Sequence, residues 1–125
     1  NYADNALAQP IVDGALIKRP GEPEIYVVEG KYKRYLRPEI IKLYGHLDSS
    51  KAIELDDKPF NFYTTANYVR YVEDKKVYAV WPDGTKHWLN MTGDYFTQSG
   101  RDWNAIFIIN ELEFNSYKTG IAITK

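Results

Sequence analysis

Residues 60–66 read FNFYTTA, and residues 114–120 read FNSYKTG. Phe, Asn, Tyr and Thr recur in the same order at the same spacing, 54 positions on. Working outward from this pair brings the rest of the chain into register with itself. Leu16-Ile17-Lys18 lies over Tyr68-Val69-Arg70, and Ile25-Tyr26-Val27-Val28 then falls on Val77-Tyr78-Ala79-Val80. Tight turns follow at Glu29-Gly30 and Asp83-Gly84. Lys33-Arg34-Tyr35-Leu36 next matches Lys86-His87-Trp88-Leu89, and Lys51–Leu55 matches Ala105–Ile109. Five segments in one order are an internal duplication, with copy one at 11–66 and copy two at 67–125.

Each copy carries the same local signals. Ile25–Val28 and Val77–Trp81 are β-branched and aromatic, as strands prefer. Asp83-Gly84 between two such runs marks a hairpin. The unbroken apolar run at Val77–Trp81 predicts a central strand buried on both faces. Pro38 and Glu39 suit a helix start, Ile40, Ile41, Leu43 and Tyr44 supply its apolar face, and Gly45 caps it. Copy two offers Thr92 as a cap, Tyr95 and Phe96 as the face, and Gly100 as the stop. The expected fold is therefore β-rich α+β: two tandem β-β-β-α-β units packed into one compact domain with pseudo-two-fold symmetry. Residues 1–10 read as a linker or the end of a preceding unit.

Composition narrows function. The chain has 125 residues and no Cys, which excludes disulfides, a thiolate zinc site and a Cys nucleophile. Its net charge of −1 provides no global field for nucleic acid or anionic lipid. No apolar run is long enough for a membrane helix, so neither a nucleic-acid partner nor membrane insertion is expected. The chain opens on Asn1, which reads as a processed or excised piece of a longer protein. Aromatic residues make up 15 % of the chain, with 11 Tyr, so packing or sugar-stacking surfaces dominate the possibilities.

The Leu-Ile-Lys, Ile-Tyr-Val-Val and Lys-Arg-Tyr-Leu segments of copy one resemble tandem repeats of roughly fifty residues in bacterial surface proteins, notably those of candidate phyla with small genomes. Copy two adds Asp83-Gly84, Trp88, Gly100, Trp103 and the Tyr117-Lys118-Thr119-Gly120 close. The resemblance implies an exported, envelope-associated module at the cell surface. Copy one departs from it by having Leu47 or Asp48 near the place of Trp103.

No catalytic motif is present: there is no GxSxG, HExxH, P-loop or GxGxxG. His87 occupies the position of Arg34 and reads as an exposed polar strand residue. His46, after a helix-ending Gly, suits a helix C-terminus. The carboxylates at Asp56, Asp57, Glu111, Glu113, Asp94 and Asp102 fall in turns or at helix starts, as capping residues do. No cofactor is expected. Ca²⁺ has thin candidates in Asp48-Ser49-Ser50 and Asp56-Asp57. The basic cluster Lys31, Lys33, Arg34 and Arg37 reads as a solvated strand face.

What remains is aromatic. Tyr35 and Trp88 hold equivalent positions, and Trp103 stands beside Arg101 and Asp102; these five are the candidate ligand-binding residues. Phe60, Asn61 and Tyr63, with Phe114, Asn115 and Tyr117, read as structural punctuation that plugs the core, the Asn side chains bonding the backbone of their own turn. The expected function is a non-catalytic extracellular binding module whose partner is a glycan, a cell-wall polymer or another surface protein. The alternatives are a self-assembling subunit of a filament or surface layer, with the Ile121-Ala122-Ile123 tail completing a neighbour's sheet, and a small hydrolase.

Overall fold

A computed structural model describes residues 11–124, so the linker expected at 1–10 lies outside the described residues. The chain divides into two compact units between Thr65 and Ala66, one residue from the boundary drawn from the repeat. The first unit runs β1 (Leu16–Lys18), β2 (Ile25–Glu29), β3 (Tyr32–Leu36), α1 (Pro38–Ile41), a 3-10 turn (Ser49–Lys51), β4 (Ile53–Glu54), α2 (Asp57–Phe62) and β5 (Thr64–Thr65). The second runs β6 (Tyr68–Tyr71), β7 (Tyr78–Val80), β8 (Thr85–Trp88), α3 (Gly93–Gln98), a 3-10 turn (Trp103–Ala105), β9 (Ile106–Ile109), α4 (Glu111–Ser116) and β10 (Lys118–Thr119).

Both units fold the same way. Three antiparallel strands form the middle of each five-stranded sheet, and a parallel strand is added at either edge, in the orders β4-β1-β2-β3-β5 and β10-β8-β7-β6-β9. The registers Ile17↔Ile53 and Val69↔Phe107 are equivalent, as are Tyr26↔Tyr35 and Tyr78↔Trp88. The mixed β-rich architecture in two tandem units is thus as the sequence predicts. Each unit carries one helix and one edge strand more than predicted, because the FNxYxT segment forms both α2 or α4 and the short strand after it.

The central position expected for the apolar run holds: β7 lies mid-sheet with Val77, Tyr78 and Ala79 buried. In the first unit Ile17, Val28, Leu55 and Phe60 form a core cluster. In the second, Val77, Ala79, Leu89 and Phe96 do so. Thr92 caps α3 by accepting from the Tyr95 amide at 3.1 Å, and Gly100 ends it at φ 88°. The first-unit helix is shorter than predicted. It stops at Ile41, the chain continues through isolated turns, and Gly45 does not take a positive φ. Its N-cap residue, Arg37, makes no side-chain cap, and only one turn forms.

Residues 121–123 do not project as a free strand. Ile123 bridges Leu89 in parallel, its amide donating to the Trp88 carbonyl at 2.8 Å and its carbonyl accepting from the Asn90 amide at 2.8 Å. The tail prolongs the β10 edge of its own sheet, so these backbone groups are already paired within the unit.

Candidate functional site

The repeated motif and the repeated lysine turn out to be one contact. The carbonyls at the end of a short helix have no partner inside the helix. In the first unit the Lys33 ammonium donates to the Phe60 carbonyl at 3.3 Å and the Tyr63 carbonyl at 2.5 Å, and lies 4.4 Å from the Phe60 ring centre. In the second, Lys86 donates to the Phe114 carbonyl at 2.7 Å and the Tyr117 carbonyl at 3.2 Å, 4.0 Å from the Phe114 ring centre. Lys33 is only 5 % exposed and Lys86 only 7 %. Burial pushes both ammonium groups below the ordinary lysine pKa, with Arg19 adding to the effect at Lys33.

This overturns the reading of Lys33 and Arg34 as a solvated strand face: both are buried. Strand alternation places Lys33 under α2, where the Phe60 and Tyr63 carbonyls and an aromatic face replace its water. The core role of the aromatic pair holds in a divided form. Phe60 is buried and Tyr63 partly so, whereas Tyr117 is buried and Phe114 partly so. Asn61 is exposed and accepts from the Arg19 guanidinium at 3.0 Å, so its side-chain oxygen serves the residue just after β1 rather than its own turn; Asn115 is exposed.

His87 is likewise not an exposed strand residue; it is 4 % exposed. Its ring stacks on Trp81 with centres 3.5 Å apart, and a methyl group at Gly120 would fall 2.3 Å from its Cε1. Nδ1 lies 2.7 Å from the Ile121 carbonyl, which requires the proton on that nitrogen. Nε2 lies 2.6 Å from the Thr85 hydroxyl, which also donates to Asp83 at 2.6 Å. The hydroxyl's proton goes to the Asp83 carboxylate, and the group orienting the imidazole through Nδ1 is a backbone carbonyl rather than a carboxylate. These contacts rivet β8 to the segment after β10. His46 is exposed beside Tyr44.

A groove recurs in both units between the start of β2 or β7, the end of β3 or β8, and the following helix. In the first unit it has a volume of about 220 Å³ and is lined by Glu24, Ile25, Tyr35, Leu36, Lys42 and Ser49, among others. In the second it has about 280 Å³, with Lys76, Val77, Trp88, Leu89, Met91 and Trp103 in its walls. A wider recess shares Lys75, Val77 and Trp103 with it and extends to Arg70, Ile106 and Ile108. The sequence candidates Trp88 and Trp103 therefore meet in one groove, and Tyr35 lines its counterpart in the other unit.

Their environments differ. Trp103 packs on Phe96, with ring centres 4.3 Å apart, and over Gly93. Its indole N–H donates to the Thr97 hydroxyl at 3.0 Å, yet the residue stays 51 % exposed. Trp88 is partly buried and carries the Lys76 ammonium 4.8 Å from its ring centre. Tyr35 is 44 % exposed and stacks obliquely on Tyr26. By 3-10 turn register the first-unit counterpart of Trp103 is Ser49, not Leu47 or Asp48, since Asp48 and Asp102 hold the same cap.

Arg101 and Asp102 are committed to structure. Arg101 donates to the Tyr68 hydroxyl at 3.2 Å and the Ser99 hydroxyl at 2.7 Å, and Asp102 accepts from the Asn104 amide at 2.8 Å. Asp48 accepts from Ser50 in the same way, and hydrogen bonds from the Ser50 hydroxyl and amide hold its carboxyl below the usual range. Among the described residues no three His, Asp or Glu side chains gather to hold a metal ion, and no helix is long and apolar enough to cross a membrane.

Sequence reasoning missed Lys75, Lys76 and Arg70 as groove residues. The signal was available: Lys76 replaces Glu24 at the equivalent position, reversing the charge beside an aromatic residue. Comparison with protein families, curated proteins and solved structures found no match.

Proposed function

We propose that the chain is a non-catalytic binding module of a bacterial cell surface that takes a glycan in the second-unit groove. The observation that carries this reading is the half-exposed Trp103. Its indole is held rigid by Phe96, Gly93 and Thr97 and lines a groove with Trp88. A flat apolar ring fixed at the mouth of an aromatic groove with lysines in its walls suits the C–H face of a pyranose. The address and the absence of catalysis rest on the resemblance and on the engagement of His87, Asp102 and Asp48 in structural contacts. No cofactor is called for. The test is Trp emission during titration with wall and capsular polysaccharide fragments. A saturable change that disappears in Trp103→Ala supports the reading; a flat response to every fragment sinks it.

A second reading, self-assembly, has one observation in its favour. Among the described residues β9 pairs only with β6, leaving Ile108 47 % exposed, where the equivalent residue of β4 is Glu54. An apolar edge lacking a charge is a site for strand addition. Light scattering across a concentration series decides: growth that Ile108→Glu abolishes favours assembly, and a strict monomer removes it.

A further inference from the structure

We propose that the second-unit groove selects acidic glycans, specifically pyranose rings carrying a carboxylate; this rests on the glycan reading above. Lys75 and Lys76 are exposed, Arg70 is partly buried, and all three line the recesses that Trp103 borders. Among the described residues no carboxylate lines either recess. Asp74, which precedes Lys75 in sequence, accepts from the Lys76 amide at 2.9 Å, and Arg70 is turned toward the Val72 and Asp74 carbonyls at 3.4 and 3.2 Å. Two ammonium groups are thus left facing an aromatic groove.

Trp88 holds one of them in place. The Lys76 ammonium lies over its ring, an arrangement that limits the side chain's freedom and orders the charge before a ligand arrives. Trp103 offers the stacking face a short distance away across the same groove. A sugar whose ring lies on Trp103 and whose own carboxylate meets Lys75 or Lys76 uses both features at once. A polyol phosphate has charge but no ring to stack. A nucleic acid has both, but it asks for a basic track along several residues, whereas the chain's net charge is −1.

The first-unit groove lacks this pairing of a lysine pair with an exposed indole, and Glu24 and Lys42 both line it. Pro23 and Glu24 stand where Lys75 and Lys76 do, and Ser49 where Trp103 does. The duplication has kept the groove and changed its charge, so one glycan per chain is expected.

Calorimetry on the intact chain with a galacturonic acid oligosaccharide, its methyl ester, a polyol phosphate and a single-stranded DNA oligomer tests this. The acid should bind at least about tenfold tighter than the ester, as one charge-assisted bond allows. The gap should shrink as salt is raised. The double variant Lys75→Gln with Lys76→Gln should erase it while keeping the thermal midpoint. Lys58→Gln, exposed and far along the sequence from the groove, should keep it. Should the double variant melt early, Lys75→Gln alone serves, with a smaller loss expected. Equal binding of acid and ester overturns the acidic preference and leaves the glycan reading standing. Binding of neither sinks both. Tighter binding of the phosphate polymer or of DNA overturns the assignment to uronates.

Discussion

At the residue scale the buried lysines explain why FNxY recurs. Phe supplies a ring and a carbonyl, Tyr supplies a second carbonyl and a core side chain, and the lysine on β3 or β8 reads all of these. Lys86→Met keeps the length but removes the donors, leaving the Phe114 and Tyr117 carbonyls without the ammonium. The loss should be about 1–3 kcal/mol in urea unfolding followed by Trp emission. The same groups set a pH dependence. Burial lowers Lys33 and Lys86 from the usual 10.5. Between their folded values and 10.5 the unfolded chain binds more protons, so stability rises with pH through that window. Burial raises Tyr26, Tyr63, Tyr71 and Tyr78 from 10.0, so above pH 10.0 the folded chain binds more protons and stability falls. Urea midpoints should climb on the alkaline side to a maximum near pH 10 and then decline. The climb should flatten in the Lys33→Met, Lys86→Met double variant.

At the element scale each helix is too short to be stable by propensity, so caps and packing decide. Thr92 caps α3 and Asn110 caps α4 by accepting from the Glu113 amide at 2.8 Å. Thr92→Ala should cost about 1 kcal/mol in the same urea experiment. It also loosens the helix on which Trp103 rests, so glycan affinity should fall with it. If affinity is unchanged while stability drops, the α3 support of Trp103 is not what orders the groove. In β8, alternation correctly separates Lys86 from His87. It could not say that both faces of the strand are covered, because one cover is α4 and the other is Trp81 with the segment after β10.

At the scale of the whole molecule the duplication yields two copies of one topology with different surfaces. All three Trp lie in the second unit, so indole emission reports on that unit alone. The divergence can be run backwards. Pro23→Lys, Glu24→Lys and Ser49→Trp together rebuild the first groove with the second's side chains. Calorimetric stoichiometry for the acidic oligosaccharide should then rise from one per chain toward two. A stoichiometry that stays at one would show that these three positions do not suffice to make the site.

The sequence by itself determined the repeat, the strand and hairpin order, the α3 cap and stop, and the aromatic candidates. These are local: periodicity, Asp-Gly turns, Thr at a cap and Gly at φ above zero act within a few residues. Only the tertiary structure decided that Lys33, Arg34, Lys86 and His87 are buried. Whether a polar side chain meets water or a helix end depends on what the chain lays over its strand some thirty residues later. For the same reason Lys75 and Lys76 became walls of a groove only when β7, β8 and the Trp103 turn came together around them.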